Sequence, residues 1–141
     1  MTQRNSTEWH GCPIRYGASI FGDNWSMLVL RDLMFKGARH FQDFLNAGEG
    51  IATNILTNRL KKLEEEGVVK KLPDPEHGVR KIYQLTDKGL SLVPAMLEII
   101  DWSEKWDNQT EVPQEFSTDL RTDRAALAFK IIEDLKVSYK A

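Results

Sequence analysis

Polar side chains repeat at helical spacing between residues 53 and 61, and their types suit contact with DNA. A helix with about 100° per residue places Asn54, Thr57, Asn58 and Lys61 on one side and Leu56, Leu60 and Leu63 on the other. Asn bonds an adenine edge through two hydrogen bonds, Thr offers a hydroxyl and a methyl group, and Lys reaches phosphate. We therefore expect a face that reads the major groove. The alternative is an ordinary solvated helix face, and only the neighbouring elements can distinguish it from a DNA-binding face.

A second group of basic side chains follows in two strand-like runs, Val68 to Leu72 and Val79 to Leu85. The predicted hairpin and its long tip carry Lys70, Lys71, His77, Arg80 and Lys81. These side chains are expected to lie against sugar and phosphate. Charged side chains also protect an exposed hairpin from edge-to-edge aggregation, and the two interpretations are compatible.

The elements that position these two groups are short helices separated by glycines. The pattern predicts helices from Pro13 to Phe21, from Asn24 to Phe35, from Phe41 to Leu45 and from about Ala52 to Glu66. A turn over residues 46–50 joins the last two helices, and Gly67 ends the last one. This arrangement is a helix-turn-helix followed directly by a hairpin, and that context favours DNA contact over a solvated face.

The chain beyond the hairpin is expected to be helical and then acidic. Thr86-Asp87-Lys88-Gly89 is typical of a helix cap that leads into a helix over Leu90 to Trp106, in which Pro94 predicts a kink and not a stop. Residues 107–118 are polar and acidic, and a last amphipathic helix is expected from about Asp119 or Asp123 to Tyr139.

Charge is distributed unevenly along the 141 residues, whose net charge is −2. Residues 36–90 carry 10 basic and 8 acidic side chains, whereas residues 91–141 carry 6 and 10. A surface for a polyanion is therefore expected in the middle third. The single cysteine excludes an intrachain disulfide, and no run of signal-peptide or membrane-span length occurs, so we expect a cytoplasmic protein with no membrane partner.

Catalysis is not expected from this sequence. No nucleophile with a base, paired acids or phosphate loop occurs at a recognisable spacing. His10, Cys12 and nearby carboxylates are too few for a metal site. We therefore predict neither a cofactor nor a metal.

Several ordered motifs resemble one family. They are Cys12-Pro13-Ile14, Gly22-Asp23-Asn24-Trp25, Leu28-Val29-Leu30-Arg31-Asp32-Leu33, the run from Leu56 to Gly67, and Tyr83-Gln84-Leu85-Thr86-Asp87-Lys88-Gly89. From Cys12 to Trp106 the chain resembles the HxlR-type winged helix-turn-helix regulators. The resemblance implies a bacterial or archaeal homodimer in which the first helix and the helix after the wing make the subunit contact.

The resemblance also makes the helix from Ala52 the recognition helix, with Thr53 and Arg59 among its candidate DNA contacts. Arg59 is expected to reach phosphate or brace the helix, and a salt bridge to a nearby carboxylate is an equal alternative. The sequence departs from the usual pattern of this family at two places. Ala52 occupies a position that is commonly Ser or Thr, and Asp23-Asn24 replaces the more usual Gly-Lys.

The helix over Leu90 to Trp106 has two apolar stripes, where the outside of a monomer needs one. The second stripe is rich in Trp and Met and suits a two-fold dimer contact. The candidate interface residues are Ile14, Met96, Ile99, Trp102 and Trp106. The alternative is that the tail helix covers this stripe within the same chain.

Cys12 precedes Pro13 at a helix start, where the helix dipole favours a thiolate. Cys12 is therefore a candidate redox-sensing residue, and any disulfide from this lone cysteine would join two subunits. The alternative is a small, partly buried residue without a redox role.

Together these patterns predict a mainly α fold with a small β-hairpin wing, which is a dimer-forming winged helix-turn-helix with an additional C-terminal helix. The expected division is an N-terminal arm at 1–11, a DNA-binding and dimerisation domain at 12–106, and an acidic linker with a helix at 107–141. The expected function is transcriptional regulation by a homodimer on a near-palindromic double-stranded operator, by repression more than by activation. A winged-helix module that binds another protein is the rival, since fold does not fix function.

Overall fold

The computed structural model describes residues 11–140, in which helices surround one two-stranded antiparallel sheet. The helices are α1 (Pro13–Phe21), α2 (Asn24–Phe35), α3 (Phe41–Leu45), α4 (Thr53–Glu65), α5 (Asp87–Leu90), α6 (Val93–Trp106), α7 (Gln114–Thr122) and α8 (Arg124–Lys140). The strands are β1 (Val69–Pro73) and β2 (Lys81–Leu85). The predicted arm at 1–11, with His10, lies outside this range except for Gly11. The predicted mainly α winged helix-turn-helix fold is confirmed.

Helix α4 is held by one buried side and a well-formed C-terminal end. Leu56, Leu60 and Leu63 are buried in the core, as predicted. At the end of the helix, Gly67 adopts φ +74° and donates its N–H to the carbonyl of Glu64, while Val68 donates to the carbonyl of Leu63. This pair of bonds is a Schellman motif, which needs a left-handed residue that Gly supplies without strain. The motif sends the chain directly into β1.

The hairpin is tied to the helices along the outer edge of β2. Its register pairs Val69 with Leu85 and Pro73 with Lys81. On the edge of β2 away from β1, the N–H of Tyr83 donates to the carbonyl of Arg39 at 2.7 Å. The N–H of Leu85 donates to the hydroxyl of Tyr139 at 3.2 Å. The wing is therefore fixed both to the segment before α3 and to the end of α8.

The connection after the hairpin differs from the predicted kinked helix. Thr86 caps α5 by accepting from the N–H of Gly89, as expected for a capping residue. A Cβ at Gly89 would collide with the carbonyl oxygen of Val68, so this helix lies against β1 only with Gly there. The chain then leaves the helix at Ser91, and Pro94 lies in the first turn of the separate helix α6. Pro in a first turn removes no helical hydrogen bond, which explains why it begins a helix and does not kink one.

The acidic tail holds one more helix than the sequence predicted. Residues 114–122 form α7, and α8 follows after a break at Asp123. Of the two predicted starts of the last helix, Asp123 is right and Asp119 is wrong, since Asp119 lies within α7. The polar run through Thr118 is partly helical. Leu120, Leu127 and Ala128 join the core, and Ile131 and Leu135 pack against it.

Ion pairs fasten the tail to one side of α6. Arg124 binds Glu98 at 2.7 Å and Asp101 at 3.3 Å. Glu104 accepts hydrogen bonds from Ser117 at 2.9 Å and from Arg121 at 2.6 Å. The side of α6 that carries Asp101 and Glu104 is therefore covered by α7 and α8. None of the helices among residues 11–140 is both long and apolar enough to span a membrane.

Candidate nucleic-acid interface

The outer face of α4 is polar and open. Thr53, Asn54, Thr57, Asn58 and Lys61 are all exposed. Helix α4 is preceded by Ala52, whose side chain offers no cap, so the helix begins without the hydroxyl bond that Ser or Thr would supply. The hydroxyl of Thr57 donates to the carbonyl of Thr53 at 2.9 Å. The predicted recognition face is thus presented to solvent with its side chains free of core packing.

Arg59 differs from its neighbours because it binds within the chain. Its Nε donates to Asp23 Oδ1 at 2.9 Å, across 36 positions of sequence. The same oxygen of Asp23 accepts from the N–H of Ser26 and so caps α2. Partial burial acts to raise the pKa of Asp23, but the hydrogen bonds from Ser26 and Arg59 outweigh it and lower the pKa to about 2. The salt bridge that was one alternative for Arg59 is therefore present, and it braces α4 against the start of α2.

Asn58 is oriented by this same arginine. Arg59 Nη1 lies 2.7 Å from Asn58 Oδ1. Because guanidinium can only donate, the Asn58 atom that faces it is the amide oxygen. The amide NH2 of Asn58 is therefore the group left to face outward, as a donor for acceptors such as those on base edges or phosphates.

The hairpin presents its two adjacent lysines to opposite faces. Lys71 pairs with Tyr83 and lines a groove of about 480 Å³ between α4 and the sheet, together with Thr57 and Lys61. Lys70 pairs with Gln84 and lines a separate groove with Lys136 and Lys140 at the end of α8. The structure therefore brings Lys71 next to the recognition face and sets Lys70 apart from it.

The tip of the hairpin is organised around Asp74, which is only 6% exposed. His40 Nε2 donates to Asp74 Oδ2 at 2.8 Å, and the N–H of Glu76 donates to Asp74 Oδ1 at 2.9 Å. The Glu76 N–H and the His40 ring hold the pKa of Asp74 below its usual range. His77, Arg80 and Lys81 surround this anchor and are exposed. The tip is thereby tethered to the residue that precedes α3.

Sequence reasoning left a salt bridge of Arg59 open without naming Asp23 as its partner, and it missed the tether between His40 and Asp74. Each joins residues more than 30 positions apart, so no local spacing signals it. The one available signal for Asp23 was its place before a helix, where a capping Asp is common. These residues position the interface and do not belong to its outer face.

A second exposed surface, the Trp stripe, is apolar and lies on α6. We define it as Ile99, Trp102 and Trp106, which are 39%, 65% and 77% exposed. The tail covers the opposite side of α6, so the alternative in which the tail hides this stripe is not what the structure shows. Ile14 on α1 is 71% exposed, but Met96 is 8% exposed and belongs to the core. The expectation for Met96 was wrong because that position of α6 turns inward.

Cys12 lies immediately before α1 and is partly exposed. Its side chain makes no capping hydrogen bond to the helix. Within residues 11–140 no three His, Cys, Asp or Glu side chains converge as a metal site would require. The structure thus places Cys12 at the predicted helix start, apart from the polar face of α4.

Comparison with known proteins shows which family the chain resembles. Residues 20–111 match the model of the HxlR-like helix-turn-helix family. An HTH-type transcriptional regulator of Synechocystis, sll1512, is 36% identical over 110 residues, which cover 75% of this chain and 81% of that protein. These matches name transcriptional regulators and not enzymes.

Two solved structures share the fold. PA1607, described as a candidate transcription factor, superimposes with a TM-score of 0.65 at 37% identity, covering 77% of this chain and 76% of that one. The reduced form of the transcriptional regulator YodB from Bacillus subtilis gives a TM-score of 0.59 at 31% identity, covering 71% and 98%. YodB has also been solved after diamide treatment and with a bound quinone.

Proposed function

The chain belongs to the HxlR-like helix-turn-helix family of transcriptional regulators, and on that basis we propose that it binds double-stranded DNA as a homodimer and represses transcription. The observation that carries the proposal is the open polar face of α4 above buried leucines. The face offers amide, hydroxyl and ammonium groups, which are those that bind base edges and phosphates. A surface for a protein partner would carry apolar anchors there, and this face carries none.

The groove between α4 and the hairpin supports the same proposal. Lys61 and Lys71 lie on its two sides, so a phosphate backbone passing between helix and wing meets a cation from each element. The remaining exposed wing residues are Lys70, His77, Arg80 and Lys81, of which Lys70 faces away from α4. We assign to contact with the DNA sugar-phosphate backbone, on the side of the hairpin that faces α4, the residues Lys71, His77, Arg80 and Lys81.

The Trp stripe supports the dimer. Exposed tryptophans at the centre of a patch are the residues that most often dominate an interface. A two-fold dimer binds successive major grooves on one side of a near-palindromic site when its two recognition helices lie about 34 Å apart, and a contact through α6 is the arrangement we propose for it. Repression then follows from occupation of a promoter.

Cys12 supports a redox-sensitive form of this regulator. It is the only cysteine in the sequence and is partly exposed at a helix start. In this proposal the oxidised form is a dimer with a disulfide between two copies of Cys12. Diamide should convert the wild type to a species of twice the mass on a non-reducing gel, and persistence of that species in Cys12→Ser would contradict the assignment.

Two substitutions on one face test the DNA assignment. We expect Lys61→Ala to weaken binding to every duplex and to reduce the slope of log affinity against log salt by about 0.9, since one phosphate contact is lost. We expect Asn58→Ala to reduce discrimination between the operator and a scrambled duplex by about 1–3 kcal/mol. Fluorescence anisotropy on both duplexes across a salt series measures the two effects.

The matched control is Lys130→Ala, at an exposed position of α8. It removes the same charge from the chain and should leave both the affinity and the salt slope unchanged. Identical losses on both duplexes from Asn58→Ala and Lys61→Ala would count against base reading by Asn58. Wild-type protein that ignores duplexes at low salt would overturn the proposal.

A further inference from the structure

A groove of about 690 Å³ lies between the end of α2, the middle of α6 and the tail. Its walls are mostly apolar and include Met34, Phe35, Ile100, Val112, Phe116 and Leu135. The family match ends at residue 111, so half of the wall comes from a segment outside the matched region. The volume falls within the range of sites that enclose a small organic molecule, about 300–1,000 Å³.

The walls favour an aromatic ligand. Phe35 and Phe116 meet edge to face, with ring centroids 6.0 Å apart and an interplanar angle of 89°. This pair joins α2 to α7 and leaves aromatic surface along the groove. A flat aromatic molecule gains from such surfaces through both apolar burial and ring geometry.

The charges at the edge of the groove favour a ligand without net charge. Two basic residues, Arg31 and Lys36, face two acidic ones, Glu111 and Asp134. Arg31 is already bound to Asp32 and Glu49, and Asp134 is bound to Lys130 at 2.9 Å. Lys36 and Glu111 remain as one charge of each sign, so neither an anion nor a cation is selected.

We propose that this groove binds an uncharged aromatic small molecule as an effector of the regulator. Arg31 lines the groove and donates from Nη1 to Glu49 Oε1 at 2.7 Å. Glu49 lies in the turn between α3 and α4, so a ligand that displaces Arg31 acts directly on the helix-turn-helix. The regulatory part of this inference rests on the proposed DNA-binding function, whereas the binding site itself does not.

The site is tested first on protein without DNA. N-phenyl-1-naphthylamine is an uncharged fluorescent aromatic molecule, and its titration into the full chain should give saturable binding of one molecule per chain. We expect a dissociation constant on the order of 10–100 μM. Fluorescence that rises without saturation overturns the site. Binding that weakens as protein concentration increases also overturns it, since a second copy of the chain would then fill the groove.

Matched tryptophan substitutions locate the bound probe. Val112→Trp fills the groove and should weaken binding at least about tenfold, whereas Val137→Trp makes the same change at a position that is 67% exposed on α8. Val137→Trp should leave the affinity unchanged, and equal weakening by both variants overturns the site. If Val112→Trp does not fold, Ser138→Phe blocks the mouth of the groove from an exposed position and should weaken binding similarly.

The link to DNA is tested separately. Saturating probe should change the affinity of the wild type for its operator by at least about threefold, and Glu49→Gln should abolish that change by weakening the contact with Arg31. Operator affinity that is unaffected by bound probe overturns the regulatory role. Failure to bind any duplex, with probe binding intact, overturns the proposed function and leaves the site standing.

Discussion

The outer faces of α4 and α6 are equally open to solvent but carry opposite chemistry. On α4 the exposed side chains are amides, hydroxyls and an ammonium group, above three buried leucines. On α6 the exposed Trp stripe is apolar, and the polar side chains Asp101 and Glu104 turn inward to meet the tail. A helix exposes apolar area at a cost unless another surface covers it. Exposure alone therefore does not identify a partner, whereas the chemistry of the exposed side does.

The two faces also differ in how they are held. Helix α4 is fixed by Asp23 through Arg59, while α6 is fixed by Arg124 through Glu98 and Asp101. In each helix the ion pairs lie beside the open face and not on it. Each pair thus sets the direction in which the open face points and leaves that face free for a partner.

The largest change in free energy should come from a charge placed in the Trp stripe of α6. Trp102→Glu places a charge at the centre of the Trp stripe, and we expect it to weaken the proposed homodimer by about 2–4 kcal/mol. Sedimentation equilibrium measures the monomer–dimer constant, and circular dichroism should show an unchanged fold. Phe129→Glu is the matched control, since Phe129 is 66% exposed on α8. A dimer that survives Trp102→Glu, or that dissociates with Phe129→Glu, would contradict the interface.

A smaller effect should come from the carboxylate that holds the polar face. Asp23→Asn keeps a side chain able to cap α2 but removes the charge that binds Arg59. Because Asp23 has a folded pKa near 2, below its ordinary 3.8, its charge adds stability above pH 4 that is lost as pH falls toward 2. We expect the wild type to exceed the variant by about 1 kcal/mol at neutral pH, a figure reduced for solvent screening.

Urea unfolding from pH 7 to pH 2 tests this expectation. The difference between wild type and Asp23→Asn should shrink as the pH falls. Asp119→Asn serves as the control, because Asp119 makes no ion pair within residues 11–140 and should give a small difference at every pH. A difference for Asp23→Asn that stays constant with pH would exclude the charge as its cause.

The smallest loss of stability should come from removing the hydrogen bond that joins the tail to the hairpin. Tyr139→Phe removes the acceptor for the N–H of Leu85 at the edge of β2, and we expect a loss of about 1 kcal/mol or less because that bond is 3.2 Å long. Tyr16→Phe is the matched control, since the Tyr16 hydroxyl accepts from Lys88 at an exposed site. Urea unfolding compares the two. A larger loss from Tyr16→Phe would contradict the role assigned to the tail.

Much of this architecture could be predicted because its signals are local. Gly67 ended α4 as expected, since a left-handed residue after a helix is a short-range requirement. The β-branched and aromatic residues in Val79 to Leu85 and the leucine spacing in α4 likewise predicted strand and helix without tertiary information. The polar face of α4 followed from the same spacing.

The remaining features depend on which segments meet in space. Pro94 suits both a kink within a helix and the first turn of a new one, and packing of Gly89 on β1 selects the second. Met96 shares the apolar character of Ile99, and the side of α6 that turns into the core decides which of the two is buried. Helix α7 was missed because its polar sequence becomes helical where Leu120 and Phe116 reach the core.

The most direct test of the central claim asks whether the outer face of α4 lies in a DNA groove. An iron chelate attached to Thr57→Cys in a Cys12→Ser background should cleave operator DNA at two places about one helical turn apart, one for each subunit. The same chelate on Val137→Cys, at an exposed position of α8, should not cleave. No cleavage from position 57 in a complex that forms normally, or equal cleavage from both positions, would contradict the account.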